Sequence, residues 1–343
     1  MNVLLLASHA VAEFDDVRMF SDLGYDVFAP GGYATPSDPG ETMRPPLPDA
    51  PDHPELRALC HAQRVKHAGE DEGWAIDWAK ADLHPDLLDW ADVVIVHHFV
   101  ERWIPPILGK AKRVIWRTCG QSNPKLERYM AQGRPLGLEI VRYSPAEARG
   151  FGRDFAGQDA LIRFGKYPGD YGPWTGDRVA VGNVSQWKGA EGPLARGNAL
   201  HLDFWREATD GLPTAPAGPG SEALPGGLGR LEYPDMLAYL ASLRCYLYTG
   251  TEPASYTLGL IEAMLSGVPV VAMPRHRFYP EGLYEGDEIT ELSGHDAGQV
   301  RNWLALFLDH PDLAGVEGKR QRRRAIDLFG IETIGAQWKD YLG

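Results

Sequence analysis

Short apolar runs alternate with amphipathic segments in the first half of the chain. Residues 2–7 predict a buried strand, and residues 15–23 place apolar side chains at the helical period before Gly24 ends the pattern and a strand follows at 26–29. Runs at 92–96, 113–117 and 138–143 are apolar on both faces, which is typical of strands in a parallel sheet. The alternation predicts a parallel sheet covered by helices.

The second half repeats this pattern after a segment rich in Gly and Pro. Residues 163–178 hold four Gly and two Pro, which predicts a domain boundary. Beyond it we expect strands at 179–181, 245–248 and 268–273, a strand and loop near 214–220, and helices at 198–208, 233–243 and 257–266. Residues 211–229 hold ten Gly or Pro among nineteen positions and are predicted as loop. The fold class is therefore α/β, with two Rossmann-like domains, residues 1–170 and 177–330, facing a ligand-binding cleft.

Composition excludes several classes of protein. Of the 343 residues, 44% are hydrophobic and 24% charged, as in a folded protein of about two domains. The net charge of −13 argues against a general affinity for nucleic acid or anionic lipid. The three cysteines are widely spaced, the first apolar run has no basic segment before it, and no apolar run approaches the length of a membrane span. These features predict a cytoplasmic protein without a transmembrane segment.

Candidate chemistry concentrates in residues 248–273, where a strand opens into a polar turn and a helix. Ser255, Tyr256 and Thr257 lie at the predicted helix start, where backbone N–H groups and the helix dipole favour an anion such as phosphate. Glu262 falls within the apolar stripe of the same helix and needs a hydrogen-bond donor. The donor is either the ribose of a bound nucleotide or an Arg or Lys of the domain core.

Further candidates follow the strands of the first half. His97 and His98 come directly after the strand 92–96, and His9 follows the first strand. Arg117 and Gln121 lie in the polar stretch that follows the next strand, and we consider them, with His9, as acceptor or phosphate contacts. No Gly-rich dinucleotide fingerprint follows the first strand, so a nicotinamide-dependent enzyme is not expected. The sequence also contains neither an Asp-x-Asp nor a His-Glu-x-x-His motif, so we expect no metal and no cofactor.

The segment from Ser255 to Val271 resembles the donor-binding motif of family-4 retaining glycosyltransferases of the GT-B fold. Residues 181–189 are similar to the strand, loop and Lys-Gly that open the carboxy-terminal domain of that family. The resemblance implies that Lys188 neutralises the donor diphosphate, that Glu262 binds the ribose, and that a histidine of the first domain lies near the reacting sugar. It also implies that residues 331–343 form a helix crossing back to an acceptor-side first domain.

Two positions depart from the family pattern. The spacing of the family's two glutamates demands one at Ala254, whereas Glu252 lies two residues further back. Asn183 stands where the family usually has an arginine beside the diphosphate. The candidates for the missing positive charge are Arg117, Arg163, Arg178 and Arg196.

The expected function is transfer of a hexosyl or pentosyl group from a nucleotide-diphosphate sugar to an acceptor hydroxyl, with retention of configuration. Lys188, Glu252, His97 and His98 are the expected catalytic residues. Asn183, Lys188, Glu262 and the helix start at Ser255, Tyr256 and Thr257 are the expected donor site. The alternatives are a nucleotide-sugar epimerase on the same fold and a non-catalytic protein that binds sugar nucleotides or glycans. The acceptor is a glycan, a small molecule or a modified nucleic acid, although the basic run 319–324 usually indicates a solvated helix face.

Overall fold

The chain divides into two compact units. The computed structural model describes residues 1–7, 9–30, 44–45, 47, 53–62, 83–120, 122–187, 199–277 and 283–343. The N-terminal unit comprises Met1–Gly165 together with Ile334–Gly343, and the C-terminal unit comprises Lys166–Thr333. The last ten residues thus belong to the unit that begins the chain.

The N-terminal unit contains a six-stranded parallel sheet in the order β2-β1-β3-β4-β5-β6. Its strands are β1 (Asn2–Leu6), β2 (Asp26–Phe28), β3 (Val93–Val96), β4 (Val114–Arg117), β5 (Leu138–Arg142) and β6 (Ala160–Leu161). Its helices are α1 (Ala10–Asp22), α2 (Pro54–Ala62), α3 (Pro85–Trp90), α4 (Val100–Ile107), α5 (Pro124–Ala131), α6 (Ala146–Phe151) and most of a terminal helix (Ile331–Leu342). Alternate residues of the central strands pack with α3, α4 and α5 in one apolar core.

The C-terminal unit contains a four-stranded parallel sheet in the order β10-β9-β7-β8. Its strands are β7 (Arg178–Val184), β8 (Thr214–Ala217), β9 (Leu243–Tyr248) and β10 (Val270–Ala272). Its helices are α7 (Ala199–Thr209), α8 (Tyr233–Ser242), α9 (Leu258–Leu265), α10 (Gly286–Thr290), α11 (Ala297–Asp309) and α12 (Pro311–Phe329). The first four strands of each unit have the same spatial order, second-first-third-fourth: β2-β1-β3-β4 in the N-terminal unit and β8-β7-β9-β10 in the C-terminal unit.

This strand order fixes where each unit offers a binding site. In a doubly wound sheet the order in which successive strands are added reverses at a switch point, and ligands bind beyond the carboxyl ends of the strands there. The switch point lies between β1 and β3 in the N-terminal unit and between β7 and β9 in the C-terminal unit. His9 and His97 follow the first pair of strands, and the turn leading to α9 follows β9.

The α/β class and the parallel sheets are confirmed, and the predicted start of one helix was wrong. Helix α1 begins at Ala10, five residues before its predicted start, because the buried carboxylates Glu13, Asp15 and Asp16 interrupt the apolar pattern of its first turns. Thr214–Ala217 forms the strand expected near 214–220, within the Gly- and Pro-rich stretch 211–229 that was otherwise predicted as loop. The strand tolerates Pro216 because β8 is an edge strand of the sheet.

The terminal helix completes the core of the N-terminal unit. Trp338 is fully buried, and its ring meets that of Phe20 edge-on with the centroids 5.2 Å apart. A Cβ built on Gly335 would lie 3.4 Å from the side chain of Leu23, so the helix packs closely on the end of α1. Among the described residues, no helix has the length and apolar character needed to span a membrane.

Candidate functional site

The polar turn between β9 and α9 leaves a helix start without a capping side chain. Thr257 is the N-cap residue of α9, but its side chain makes no capping hydrogen bond. Its backbone N–H donates to the hydroxyl of Tyr248 at 3.0 Å. The N–H groups of the first two helical residues, Leu258 and Gly259, have no acceptor within the helix. The N–H groups that α9 offers to an anion therefore belong to Leu258 and Gly259 rather than to Thr257.

Side chains at the predicted anion-binding positions are mostly part of the core. Tyr256 is 1% exposed and packs on Phe329, with the ring centroids 5.4 Å apart. Ser255 is also buried, and its carbonyl accepts from the N–H of Glu285 at 2.8 Å. These residues hold the turn in place, so a ligand at the start of α9 would meet backbone atoms rather than these two side chains.

Gly259 is a glycine that packing within the protein does not require. A Cβ built there would lie 3.8 Å from Thr257 Oγ1 and from the Val184 carbonyl oxygen, both ordinary contact distances. Gly182 in β7 is a contrasting case, because a Cβ there would lie 2.2 Å from the side chain of Leu243. A Cβ at Gly259 would therefore fit beside the carboxyl end of β7 without displacing these atoms.

Glu262 of α9 forms a buried ion pair with Lys166. The Glu262 Oε1 and Lys166 Nζ atoms are 2.8 Å apart, and the two residues are 5% and 3% exposed. Lys166 is fixed by its own backbone as well, since its N–H donates to the Phe329 carbonyl at 2.8 Å. The sequence left two kinds of partner open for Glu262, and the described residues supply a lysine from the same unit. One carboxylate can accept several hydrogen bonds, so this contact leaves the ribose assignment as a prediction.

Asn183 holds two strands together. Its Nδ2 donates to the Leu247 carbonyl at 2.7 Å and to Thr249 Oγ1 at 3.3 Å, which ties the end of β7 to the end of β9. The side chain is 2% exposed, and its Oδ1 has no partner among the described residues. An arginine would not fit this buried position without displacing the contacts to β9.

The remaining donor-side candidates lie in less constrained places. Glu252 is half-buried in the turn after β9, where the Ala254 N–H donates to the Thr251 carbonyl at 2.8 Å. The Arg178 guanidinium lies 5.9 Å from the centre of the Tyr239 ring. Lys188 and Arg196 lie outside the described residues, as does Gln121 of the N-terminal unit. Their assigned roles stay predictions.

At the switch point of the N-terminal unit, His97, Asp16 and Arg117 form a buried cluster. His97 Nε2 lies 3.1 Å from Asp16 Oδ2, and Arg117 Nη1 donates to the same oxygen. Burial on its own would raise the pKa of Asp16, but the Arg117 charge and the His97 ring bring it below its usual value. The charge of Arg117 is thus already matched by Asp16.

Aromatic rings enclose the Arg117 guanidinium. It lies 5.1 Å from the centre of the Phe164 ring and 5.2 Å from that of Trp338. Its Nη2 also donates to the Arg163 carbonyl at 3.2 Å. Arg117 is 0% exposed and is held on all these sides, so its predicted contact with acceptor or phosphate would require the cluster to open.

The His98 ring stacks beside that of His97, with the ring centroids 6.1 Å apart. Its Nε2 is 3.5 Å from Cys119 Sγ, and its ring stacks at 6.3 Å from that of His9. Burial holds the pKa of His98 well below its usual value, and the neighbouring His97 and His9 rings add to this effect. His98 is therefore a neutral imidazole at neutral pH, as a proton acceptor must be.

A second buried charge cluster lies at the carboxyl ends of β4 and β5. Arg142 donates through two nitrogens to the two oxygens of Glu127, both at 2.7 Å. Glu147 Oε1 lies 3.9 Å from Arg142 Nη1, and Glu147 Oε2 accepts from the Thr118 hydroxyl at 2.7 Å. One arginine thus faces two carboxylates. Burial raises the pKa of Glu147 to about 7, although Arg142 and the Thr118 hydrogen bond oppose the shift.

Glu147→Gln should remove a pH-dependent loss of stability. The pKa of Glu147 rises from 4.5 to about 7 on folding, so the folded state retains a proton that the unfolded state releases, and stability falls as pH rises between these values. At about 1.4 kcal/mol per pH unit, the loss amounts to about 3 kcal/mol. Relative to the parent, the variant should gain that much at pH 8 and nothing at pH 4.5, measured by urea unfolding. An equal difference at both pH values would contradict the prediction.

The basic run 319–324 lies on α12 and is largely used within the unit. Arg320 contacts Glu291 and Glu317, and Arg324 donates to the carbonyls of Ile289 and Glu288. Arg322 donates to the carbonyls of Tyr171 and Gly172. These contacts fasten α12 to neighbouring segments and leave few of its cations for an anionic partner. Within the described ranges, no group of three or more His, Cys, Asp or Glu is arranged to hold a metal ion.

Comparison with solved structures identifies the fold. Sucrose-phosphate synthase from Thermosynechococcus elongatus matches with a TM-score of 0.63 and 14% identity over 100% of this chain and 98% of that one. HepE of Anabaena, in complex with UDP and glucose, gives 0.59 and 13% over 99% and 98%. AviGT4, a glycosyltransferase involved in avilamycin A biosynthesis, gives 0.56 and 18% over 99% and 96%. The chain has the GT-B fold.

At these identities the similarity to GT-B structures establishes the architecture alone. No family model matches the sequence, and no curated protein matches it. The GT-B fold confirms the predicted fold class, while the roles of individual site residues rest on the geometry described above.

Proposed function

We propose that this GT-B chain is a glycosyltransferase that moves a hexosyl or pentosyl group from a nucleotide-diphosphate sugar to an acceptor hydroxyl, with retention of configuration as in family 4. The observation that carries the proposal is the start of α9. It combines the N–H groups of Leu258 and Gly259, which have no acceptor within the helix, a glycine at 259 that protein packing does not require, and the Glu262 carboxylate on the same helix. HepE, which shares the fold, is described in complex with UDP and glucose.

The proposed reaction is supported mainly by electrostatics. The bond between the sugar C1 and the diphosphate oxygen breaks, the acceptor oxygen bonds to C1, and the acceptor proton leaves on the released diphosphate. Because negative charge builds up on the diphosphate, the N–H groups of α9 and the ammonium of Lys188 are proposed to stabilise the transition state. Glu252 is proposed to contact the donor sugar, and a histidine of the pair His97 and His98 to lie near it.

The test is turnover with a panel of nucleotide sugars in the presence of water alone, analysed for free sugar. Slow hydrolysis of one donor would support transfer, because water then acts as a poor acceptor. An isomerised nucleotide sugar would instead indicate an epimerase, and binding without turnover would indicate a binding protein.

Activity should also survive EDTA, because the proposed stabilising groups belong to the chain. Loss on chelation with recovery on adding magnesium or manganese would contradict the proposed scheme.

Gly259→Ala should separate ligand binding from folding. The added methyl group meets protein atoms only at ordinary distances, and alanine favours a helix over glycine by about 1 kcal/mol. Stability should therefore stay equal or rise, while affinity for the nucleoside diphosphate falls at least tenfold because the methyl group occupies the ligand's space. Thermal unfolding and calorimetric titration measure the two effects. Undiminished affinity would show that no ligand lies against Gly259.

A further inference from the structure

Two tyrosine side chains of β9 reach the two backbone segments that border Gly259. Tyr246 and Tyr248 are two positions apart on this strand, so their side chains lie on the same face of the sheet. A Cβ built on Gly259 would lie 3.8 Å from both the Val184 carbonyl oxygen and Thr257 Oγ1. It would lie 3.9 Å from the Tyr246 hydroxyl. Tyr246 bonds to the segment that ends at Val184, and Tyr248 bonds to the segment that contains Thr257.

The Tyr246 hydroxyl forms two hydrogen bonds with the last residue of β7. The Val184 N–H donates to this hydroxyl at 2.9 Å, and the hydroxyl donates to the Val184 carbonyl at 3.4 Å. Backbone pairing of β7 with β9 runs only as far as Gly182, which lies opposite Tyr246. The hydroxyl therefore satisfies backbone groups of Val184 that β9 no longer pairs, and it fixes the end of β7 beside Gly259.

The Tyr248 hydroxyl holds the start of α9 in a similar way. It accepts the Thr257 N–H at 3.0 Å, directly before the N–H groups that α9 offers to an anion. The Tyr248 ring is 2% exposed and stacks on that of Tyr284, with the centroids 6.1 Å apart and the planes at 15°. A Cβ built on Gly286 would lie 2.4 Å from Tyr248 Cε1, so a glycine is needed there for the ring to keep this place.

Both hydroxyls are neutral at physiological pH. Burial raises the pKa of Tyr246 and that of Tyr248 above the usual value for tyrosine. A neutral hydroxyl can accept and donate at the same time, and it brings no negative charge to a place that a phosphate would approach. A carboxylate in either position could accept the same backbone N–H, but it would repel the anion.

We infer that Tyr246 and Tyr248 are positioning residues for the donor diphosphate, because their hydroxyls hold the two backbone walls of its site. The inference rests on the proposed function for the identity of the anion. Backbone N–H groups stabilise an anion best when their direction is already fixed before it binds. Loosening either wall should therefore weaken the contacts to phosphate and leave those to the nucleoside unchanged.

The experiment compares a nucleoside diphosphate with its nucleoside in the full chain. Calorimetric titration with UDP, GDP, ADP, CDP and dTDP identifies the diphosphate that the parent binds best, and the matching nucleoside is titrated in competition with it. Tyr246→Phe and Tyr248→Phe should each lower diphosphate affinity about fivefold, on the order of one hydrogen bond. The double variant should lower it about 25-fold, because the two walls act independently. Nucleoside affinity should stay within twofold of the parent in all three variants, which a general loss of structure would not allow.

Tyr239→Phe is the matched control. Tyr239 is a buried tyrosine of the same unit, and its hydroxyl donates to the Ala215 carbonyl inside β8. This variant should lose as much stability in urea unfolding as the other single variants and keep its diphosphate affinity within twofold of the parent.

Three results would overturn the inference while leaving the proposed function in place. They are unchanged or higher diphosphate affinity in Tyr246→Phe or Tyr248→Phe, an equal fall for diphosphate and nucleoside, and an equal fall in Tyr239→Phe. A parent that binds none of the five diphosphates would instead overturn the proposed function, and the inference with it.

Discussion

Lys166→Met should lower the free energy of unfolding by about 3–5 kcal/mol, the usual result of removing one partner from a buried ion pair. Glu262 is 5% exposed and loses its nearest cation in this variant, so an uncompensated carboxylate stays in the core. Glu262→Gln should have a similar effect from the other side, because it leaves the Lys166 ammonium without its counter-charge. Urea unfolding followed by circular dichroism measures both losses.

The double variant Lys166→Met with Glu262→Gln is the matched control, because it restores charge balance. Its loss of stability should be well below the sum of the two single losses. Nucleotide affinity provides a separate readout. If Glu262 binds the ribose, the double variant should stay folded and yet bind the nucleoside diphosphate roughly ten- to a hundredfold more weakly. Parental affinity in the folded double variant would show that the pair is structural only.

Lys188→Ala should lower turnover by roughly 10²–10³-fold, as loss of a group that stabilises transition-state charge does. The expectation rests on the sequence similarity around residues 181–189, since Lys188 lies outside the described residues. Affinity for the free nucleoside diphosphate should fall less than turnover, because the charge that Lys188 meets grows as the sugar departs.

The matched control for Lys188→Ala is Lys319→Ala, which removes the same charge from the exposed side of α12 in the same unit. It should leave turnover within twofold of the parent. A loss below tenfold in Lys188→Ala would transfer the neutralising role to another cation, of which Arg196 is nearest in sequence among the candidates.

Strands were the most predictable part of the fold, because a strand covered on both faces needs a continuous apolar run. The runs at 92–96, 113–117 and 138–143 lie within one residue of β3, β4 and β5. Helix α1 was harder, because three carboxylates in its buried face hide the apolar pattern. Asp16 of α1 contacts His97, which follows β3, and Arg117, which ends β4. Because both partners are distant in sequence, the residues near Asp16 give no sign of its burial.

The site was predictable where one segment carries it and not where distant residues complete it. The helix start after Thr257 and the buried position of Glu262 follow from local pattern alone. Lys166 lies 96 positions before Glu262, in a segment that its Gly and Pro content marked as a linker. Burial of Glu262 required some donor, and only the packed structure shows which lysine reaches it.

The discontinuity of the N-terminal unit sets the order in which the chain can be completed during synthesis. Met1–Gly165 is translated before the C-terminal unit, whereas Trp338 and the rest of Ile334–Gly343 are translated after it. Domains generally fold as units during translation, so Lys166–Thr333 can fold as soon as it has been translated. Until Trp338 follows, the N-terminal unit lacks the side chain that packs on Phe20 and Arg117. A chain released before Trp338 would carry an intact C-terminal unit beside an unfinished partner, a natural target for chaperones and proteases.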